Sequence, residues 1–221
     1  FIKTVATVLS VLVSCTFLPP NDYPPFNPDD PAAVYESRAR MLADSYYANY
    51  FCESGKYLKQ YNVRPESSGC WDLTAMLTVM TKVSAFDAGY VKKADTVLKA
   101  LSYYSRVENG MFYGYTGGRA SHPFTATSGV YYDDNMWIGR DLVELYKTTG
   151  HRRYLDAAFD IADMLIRDGY PDLDPVMFFD KFGVYRAGDI SGFYWNYAHD
   201  ALHTCSNAPA VQFLAALSAV A

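Results

Sequence analysis

The feature that most constrains this chain is a repeated pair of amphipathic helical segments. In the first pair, apolar residues recur at spacings of three and four from Leu73 to Val83, and a second stripe follows from Tyr90. The second pair opens at Trp137, and its second stripe opens at Tyr154. Because a helical hairpin buries its apolar faces only against its neighbours, the repeat indicates an α/α toroid or an α-solenoid.

Further helices are predicted outside the repeat, and no convincing alternating strand run appears. The residues Asp29-Asp30-Pro31 favour a helix start, so a helix is predicted from about Ala32 to Phe51. A sixth helix is predicted from Ser206-Asn207, with Pro209 in its first turn. Helix ends are expected at or near three glycines, Gly89, Gly150 and Gly169. The sequence therefore predicts the all-α class.

Two long irregular segments, from Gly110 to Asp134 and from Tyr170 to Asn207, precede the first helix of a pair. Because both occupy the same place in the repeat, we expect them to meet at one end of the ring. Long loops inside a compact domain are often functional. This end of the ring is therefore the predicted location of a binding site.

Composition narrows the class of protein. Half of the 221 residues are hydrophobic, which is enough for one domain with a sizeable core. The net charge of -5 argues against nucleic-acid binding, which requires a basic surface. Tyrosine is abundant, at 20 residues, and its ring can stack on a sugar while its hydroxyl bonds a sugar OH, although most of these tyrosines are expected to be packing residues.

The N-terminal segment has the pattern of an export signal over residues 1–15. Lys3 precedes a short apolar run from Val5 to Val13, and Leu12-Val13-Ser14-Cys15 resembles a bacterial lipobox. The alternatives are a plain signal peptide or a buried apolar segment. The Pro-rich residues 16–31 are then a tether, so we expect an exported protein at the cell surface or in the periplasm, anchored through lipid on Cys15.

The remaining cysteines and the histidines do not form a metal motif. Cys52, Cys70 and Cys205 allow at most one disulfide bond. His199 and His203 are spaced by four residues but lack the glutamate of a HExxH motif. We expect no metal and no cofactor.

The segment from Tyr131 to Trp137 contains the adjacent acids Asp133 and Asp134, followed by Asn135. A pair of carboxylates is what glycosidic hydrolysis requires, one as an acid and one as a base or nucleophile. The competing interpretation is helix capping, because Asp and Asn oxygens accept the free N–H groups of a helix start. The two roles are compatible in one segment.

Three ordered motifs resemble glycoside hydrolase family 76, the family of endo-α-1,6-mannanases and related enzymes. They are the segment from Tyr132 to Gly139 with its following helix pair, the aromatic segment Gly192-Phe193-Tyr194-Trp195, and Thr204-Cys205-Ser206-Asn207-Ala208-Pro209-Ala210. Ser191 and Ala208 stand where the family often has glycine. The family fold is an (α/α)6 barrel of twelve helices, so with about six helices we expect about half of a barrel within residues 32–221.

The resemblance also implies a mechanism and site residues. Asp133 would be the nucleophile and Asp134 the acid/base of a retaining reaction on α-mannan, with the carboxyl groups about 5–5.5 Å apart. Consecutive Cα atoms lie about 3.8 Å apart, so diverging side chains can reach that separation. The expected substrate contacts come from five residues, Tyr132, Trp137, Tyr194, Trp195 and Asn207.

Other functions fit part of the pattern. A non-catalytic glycan-binding lipoprotein built from helical repeats would share the tether and the tyrosines. Another toroid enzyme, such as an unsaturated glucuronyl hydrolase or a sugar epimerase, would share the fold. The chain is expected to act as a monomer.

Overall fold

The computed structural model describes residues 29–167, 184–187, 190–198 and 203–221. The chain divides into two compact units, residues 1–49 and residues 50–221. Helix α1 (Pro31–Tyr50) supplies the described part of the first unit. It is capped by Asp30, whose Oδ1 accepts the Ala33 N–H at 3.1 Å, as the sequence Asp29-Asp30-Pro31 predicts.

The second unit contains five described helices. They are α2 (Cys70–Ser84), α3 (Gly89–Leu101), α4 (Tyr132–Thr149), α5 (Arg152–Arg167) and α6 (Thr204–Ser218). These bounds lie within a few residues of those expected from the apolar periodicity. Gly150 ends α4 in the left-handed conformation, with φ +69°, and its N–H donates to the Tyr146 carbonyl at 2.7 Å, so a glycine is required there for the predicted stop.

The helices form an inner and an outer row. In the inner row, α4 lies between α2 and α6 and packs against both. Behind it, α3 packs against α2 and α5 packs against α4, so α2–α3 and α4–α5 are two antiparallel hairpins, as the repeat predicts. The faces between the rows are fully buried and include Leu77, Leu101, Ile138, Leu145 and Ala158.

Short antiparallel sheets lie in the segments before the inner helices. They are β1 (Phe51–Cys52), β2 (Tyr57–Tyr61) and β3 (Arg64–Ser67), then β4 (Ser105–Glu108) with β5 (Met111–Tyr115), then β6 (Val184–Ala187) with β7 (Ile190–Phe193). The sequence did not indicate these strands, because none exceeds five residues and few carry an alternating pattern. They leave the fold class unchanged and give defined structure to segments expected to be irregular.

Several expectations concern residues outside the described ranges. The export signal over residues 1–15, nearly all of the tether and His199 are among them. Among the helices that are described, none is both long enough and apolar enough to cross a membrane.

Candidate active site

Asp133 and Asp134 lie in the first turn of α4. The N-cap is Tyr131, whose side chain makes no capping hydrogen bond, so neither acid occupies the cap position itself. Both carboxylates are nearly buried, with exposures of 8% for Asp133 and 7% for Asp134. The acids therefore combine low solvent contact with a place at the positive end of a helix dipole, which favours a negative charge.

The pair opens into a cavity of about 400 Å³, here called the acid pocket. Its described lining consists of Gly69, Cys70, Trp71, Gly117, Tyr131, Asp133, Asp134, Trp195 and Cys205. The second residue of each inner helix contributes to this lining, namely Trp71 in α2, Asp133 in α4 and Cys205 in α6. The repeat thus brings three helix N-termini to one pocket, at the end of the ring where the sequence placed the site.

Backbone hydrogen bonds fix the loops around the pocket. The Tyr132 N–H donates to the Trp195 carbonyl at 3.0 Å, which joins the start of α4 to the segment after β7. The Cys70 N–H donates to the Gly117 carbonyl at 3.2 Å, which joins the start of α2 to the segment after β5. These bonds hold the walls at the first turns of the helices, so the cavity is built from rigid elements.

The aromatic wall of the acid pocket contains Tyr131 and Trp195. Trp195 lies parallel to the His203 imidazole, with centroids 5.1 Å apart and an interplanar angle of 1°. The Tyr131 ring lies 5.0 Å from the Trp195 ring and is tilted against it by 51°. A tryptophan held in this way presents a fixed apolar surface, of the kind that stacks on the C–H face of a sugar.

The environments of the two acids push their pKa values apart. Burial, the charge of Asp133 and then the charge of Asp72 raise the pKa of Asp134 to about 7. Burial also raises the pKa of Asp133, but hydrogen bonds from the Cys205 thiol, the Asp134 backbone N–H and the Trp195 indole offset part of that rise. Near neutral pH one acid can keep a proton while the other is ionised.

Cys205 is a site residue that the sequence analysis did not identify. Its thiol faces Asp133, and burial together with that carboxylate raises the pKa of Cys205. The thiol therefore stays protonated and can donate to the carboxylate. Its segment belongs to the third sequence motif, but a single cysteine in a sequence indicates little beyond possible disulfide pairing, and Cys52, Cys70 and Cys205 are all free.

The expected substrate contacts separate into different places. Trp195 lines the acid pocket, whereas the half-buried Tyr194 is not among its described lining residues. Tyr132 is fully buried in the core and is not among the described lining residues of the acid pocket, so the structure does not place it where a substrate contact was expected. Its place as the first residue of α4 turns its side chain inward while Asp133 and Asp134 face the cavity.

Trp137 lies outside the acid pocket, in a neighbouring slot of about 210 Å³. The exposed Trp71 lines both cavities and contacts Trp137 edge to face, with centroids 6.4 Å apart. The guanidinium of Arg140 lies 3.9 Å from the Trp137 ring centroid. Trp137 is therefore a packed residue at the edge of the site, one turn deeper than the acids.

Asn207 acts on the backbone. Its Oδ1 accepts the Phe193 N–H at 2.8 Å, and its Nδ2 donates to the Phe193 and His203 carbonyls at 3.2 and 2.9 Å. All three of these hydrogen bonds go to the backbone, so the Asn207 amide links β7 to the start of α6. The expected sugar contact of Asn207 would need a change in these bonds.

Comparison with known proteins identifies the fold. No protein-family model matches the chain, and no curated protein sequence matches it significantly. A glycoside hydrolase family 76 mannosidase from Bacteroides thetaiotaomicron has a similar structure, with a TM-score of 0.60 and 21% identity over 84% of this chain and 48% of that one. A family 76 alpha-mannanase from the same organism matches with a TM-score of 0.57 and 14% identity over 83% of this chain and 51% of that one. An endoglucanase of glycosyl hydrolase family 8 from Klebsiella pneumoniae matches with a TM-score of 0.50 and 14% identity, over 71% of this chain and 44% of that one.

The chain has the fold of a partial (α/α)6 barrel. It spans about half the length of the structures it matches. The expected all-α toroid is therefore confirmed, and so is the resemblance to family 76 at the level of the fold. At these identities the likeness concerns architecture, so the chemistry rests on the acid pocket itself.

The arrangement supplies what acid-assisted displacement needs. It has an acid whose pKa is raised to about 7, a neighbouring carboxyl whose pKa rise is partly offset by hydrogen bonds, and a flat aromatic surface in one cavity. In the described part of the chain no group of His, Cys, Asp or Glu side chains is arranged to hold a metal ion.

Proposed function

We propose that this chain is part of a glycoside hydrolase that cleaves α-1,6-mannosidic bonds of mannan with retention of configuration. The observation that carries the proposal is the pair Asp133 and Asp134, nearly buried together in an aromatic pocket and shifted to different pKa values. The three sequence motifs and the partial (α/α)6 fold of the chain support the choice of a mannan-degrading enzyme.

In the first step Asp133 is the nucleophile. A carboxylate oxygen of Asp133 attacks the anomeric carbon, the bond from that carbon to the bridging oxygen breaks, and Asp134 gives its proton to the departing oxygen. The product is a glycosyl ester on Asp133 and a free sugar hydroxyl. Assigning the acid role to Asp134 follows from its higher pKa, near 7, which keeps it protonated at moderately acidic pH.

In the second step Asp134 is the base. Its carboxylate takes a proton from water, the water oxygen bonds to the anomeric carbon, and the ester bond breaks to regenerate the Asp133 carboxylate. Two inversions at the same carbon give net retention. The Cys205 thiol and the helix N-terminus stabilise Asp133 in its ionised form, which keeps the nucleophile ionised for the first step and favours its departure in the second.

Substitution of the two acids tests the proposal. Full-length protein carrying Asp133→Asn or Asp134→Asn is assayed for reducing ends released from linear α-1,6-mannan, with cellulose as a second substrate. We expect each variant to lose at least about 100-fold in kcat, the lower range for removing a general acid or base. The control is Asp163→Asn, because Asp163 is an exposed acid on α5 far along the chain from the pocket.

The stereochemical outcome is a separate test. Retention requires that the first product observed by proton NMR is the α-anomer. Release of the β-anomer would indicate inversion, in which Asp133 acts as a base on water and not as the nucleophile. Wild-type rates in both acid variants, or tight mannan binding with no new reducing ends, would overturn the enzymatic proposal in favour of a glycan-binding protein.

We also propose that the protein is exported and anchored by lipid on Cys15. The short apolar run followed by Leu12-Val13-Ser14-Cys15 supports this proposal. Metabolic labelling with a radioactive fatty acid should mark the wild-type protein and leave Cys15→Ser unlabelled. Equal labelling of both proteins would contradict the anchor.

A further inference from the structure

A second cavity lies between the outer helices and shares no lining residue with the acid pocket. Here called the outer cavity, it has a volume of about 540 Å³, larger than the 400 Å³ of the acid pocket. That volume is within the range of small-molecule sites. Its lining comes from α3, α4, α5, β5 and three loops: Lys56, Asp95, Leu98, Lys99, Ser102, Tyr103, Tyr115, Pro123, Phe124, Leu142, Arg153, Tyr154 and Ala157.

The charge of the outer cavity is positive, although the chain carries a net charge of -5. Asp95 is paired with Arg153 at 2.9 Å and also accepts the Tyr154 hydroxyl at 2.8 Å, so these two charges compensate each other. Lys56 and Lys99 form no ion pair within the described ranges. Two ammonium groups therefore remain available to an anionic ligand.

The rim of the cavity holds an aromatic ring in an unusual position. Phe124 is 54% exposed and has φ +64°, a conformation that a bulky side chain rarely adopts. Its backbone is held from both sides, because its N–H donates to the Ser102 carbonyl at 2.7 Å and its carbonyl accepts the Val107 N–H at 3.2 Å. The loop thus holds an exposed ring on a strained backbone, as is common in ligand-binding segments.

Lys56, in another loop that lines the cavity, also has a positive φ. It has φ +50° at the turn between β1 and β2, and it is one of the residues that line the cavity. Lys56, Asn109 and Phe124 are the non-glycine residues with positive φ in the described part of the chain, and two of these three line the outer cavity. Strained backbone, unpaired cations and an exposed ring coincide at one place.

We propose that the outer cavity binds an anionic sugar unit, one that carries a phosphate or a carboxylate. Lys56 and Lys99 neutralise the anionic group through charge-assisted hydrogen bonds. The Phe124 ring stacks on the C–H face of the sugar, and the hydroxyls of Ser102 and Tyr103 bond its ring hydroxyls. The site would hold acidic units of a glycan at a distance from the cleavage chemistry.

Isothermal titration calorimetry with four probes tests this site: mannose 6-phosphate, glucuronate, mannose and inorganic phosphate. The choice of mannose as the sugar of the first probe rests on the proposed function. The cavity and its positive charge do not depend on that function. All titrations use full-length Asp133→Asn/Asp134→Asn protein, so that binding in the outer cavity is measured whether or not the protein is a glycosidase. Comparing mannose 6-phosphate with glucuronate separates the two kinds of anionic group.

The variants are Lys56→Gln/Lys99→Gln and Phe124→Ala. Lys92→Gln is the matched control, because Lys92 is an exposed lysine two turns before Lys99 on α3 and does not line the cavity. The lysine variant should weaken binding of the acidic sugars about tenfold or more, and added salt should do the same. Phe124→Ala should weaken the acidic sugars but leave inorganic phosphate unchanged.

Three results would overturn the proposal. They are no binding of either acidic sugar, mannose binding as tightly as mannose 6-phosphate, or equal losses in Lys92→Gln and in the double lysine variant. Unchanged thermal unfolding of each variant shows that a loss of binding comes from the cavity. Lys56 and Lys99 are exposed, so their substitution should leave the fold intact.

Discussion

Asn135 and Asn207 make the same three hydrogen bonds at the same position of two successive inner helices. Each is the fourth residue after its N-cap, and each donates to the carbonyl of that cap residue, Tyr131 at 2.8 Å or His203 at 2.9 Å. Asn135 also accepts the Tyr115 N–H at 2.8 Å and donates to the Tyr115 carbonyl at 2.9 Å, as Asn207 does with Phe193. One amide therefore joins each helix to the strand before it.

Replacing Asn135 by leucine should destabilise the fold. Leucine is the residue at the equivalent position of α2, Leu73, so the shape suits a first turn of this kind. The change leaves the Tyr115 N–H and carbonyl unpaired against the fully buried side chain at position 135, which costs about 2–4 kcal/mol in the free energy of unfolding. Urea unfolding of Asn135→Leu measures this loss.

The matched variant is Asn207→Leu. Asn207 is half-buried, so water can replace part of its bonding, and its loss in unfolding free energy should be smaller than that of Asn135→Leu. Equal stability of Asn135→Leu and the wild type would show that the hydrogen bonds of the Asn135 amide contribute nothing to the free energy of unfolding.

The pH dependence of stability should report the raised pKa of Asp134. Because the folded protein holds the Asp134 proton up to a pH of about 7, the folded state binds more protons than the unfolded state between the ordinary carboxyl pKa and that value. Its stability therefore falls as the pH rises through this interval. Asp134→Asn, which stays neutral, should be more stable than the wild type at pH 8, by at most about 4 kcal/mol for a shift of about three pH units.

The same variant should match the wild type near pH 3, below the ordinary carboxyl pKa, where Asp134 is mostly protonated in both states. Urea unfolding at pH 3 and pH 8 gives the comparison. A gain of equal size at both pH values would mean that the charge of Asp134 is not its source.

Cys205 should set the acid limb of the pH–rate profile. Without the thiol donor, the pKa of Asp133 rises further, since burial then acts with less compensation. Cys205→Ala is therefore expected to move the loss of kcat/KM at low pH to a higher pH, while the alkaline limb near 7 stays in place because it belongs to Asp134.

Cys205→Ser keeps a donor at the same position and should restore the wild-type acid limb. A merely structural role for the cysteine would lower the rate at every pH and would not be rescued in this way. Iodoacetamide offers a second measurement, because the raised pKa of Cys205 should make alkylation slow at pH 7 and faster above pH 9.

The sequence predicted the helices because their apolar stripes are long and their ends are marked by residues such as Gly150 and Asp30. It also predicted that Asp133, Asp134 and Trp195 lie at one end of the ring, since the repeat places all first-helix starts on the same side. Local pattern and tertiary packing agree at these positions.

Direction of side chains was harder to predict. Tyr132 and Asp133 are neighbours in the chain, yet one is core and the other lines a cavity, because successive residues on a helix point about 100° apart. The assignment of Tyr132 to substrate binding stays a prediction, and the burial of its side chain gives it no support. Cys205 meets Asp133 only through the packing of α6 against α4, a contact that no spacing in the sequence reveals.

The contact between Gly139 and Phe213 should limit what α4 tolerates in its middle. A Cβ atom on Gly139 would lie 2.6 Å from the Phe213 ring, and Phe213 is fully buried in α6. Gly139→Ala gains helix propensity of about 1 kcal/mol but forces the ring or the helix to move, which costs about 1–3 kcal/mol. We expect a net loss of unfolding free energy, measured by urea unfolding.

The compensating double variant Gly139→Ala/Phe213→Leu separates close packing from other causes. If the ring is the obstacle, the two substitutions should be less destabilising together than the sum of the single changes, since leucine makes room for the new methyl group. Strict additivity would show that the residues do not interact. Because α4 contributes Asp133 and Asp134 to the acid pocket and α6 contributes Cys205, Gly139→Ala alone should also lower activity by moving Cys205 away from Asp133.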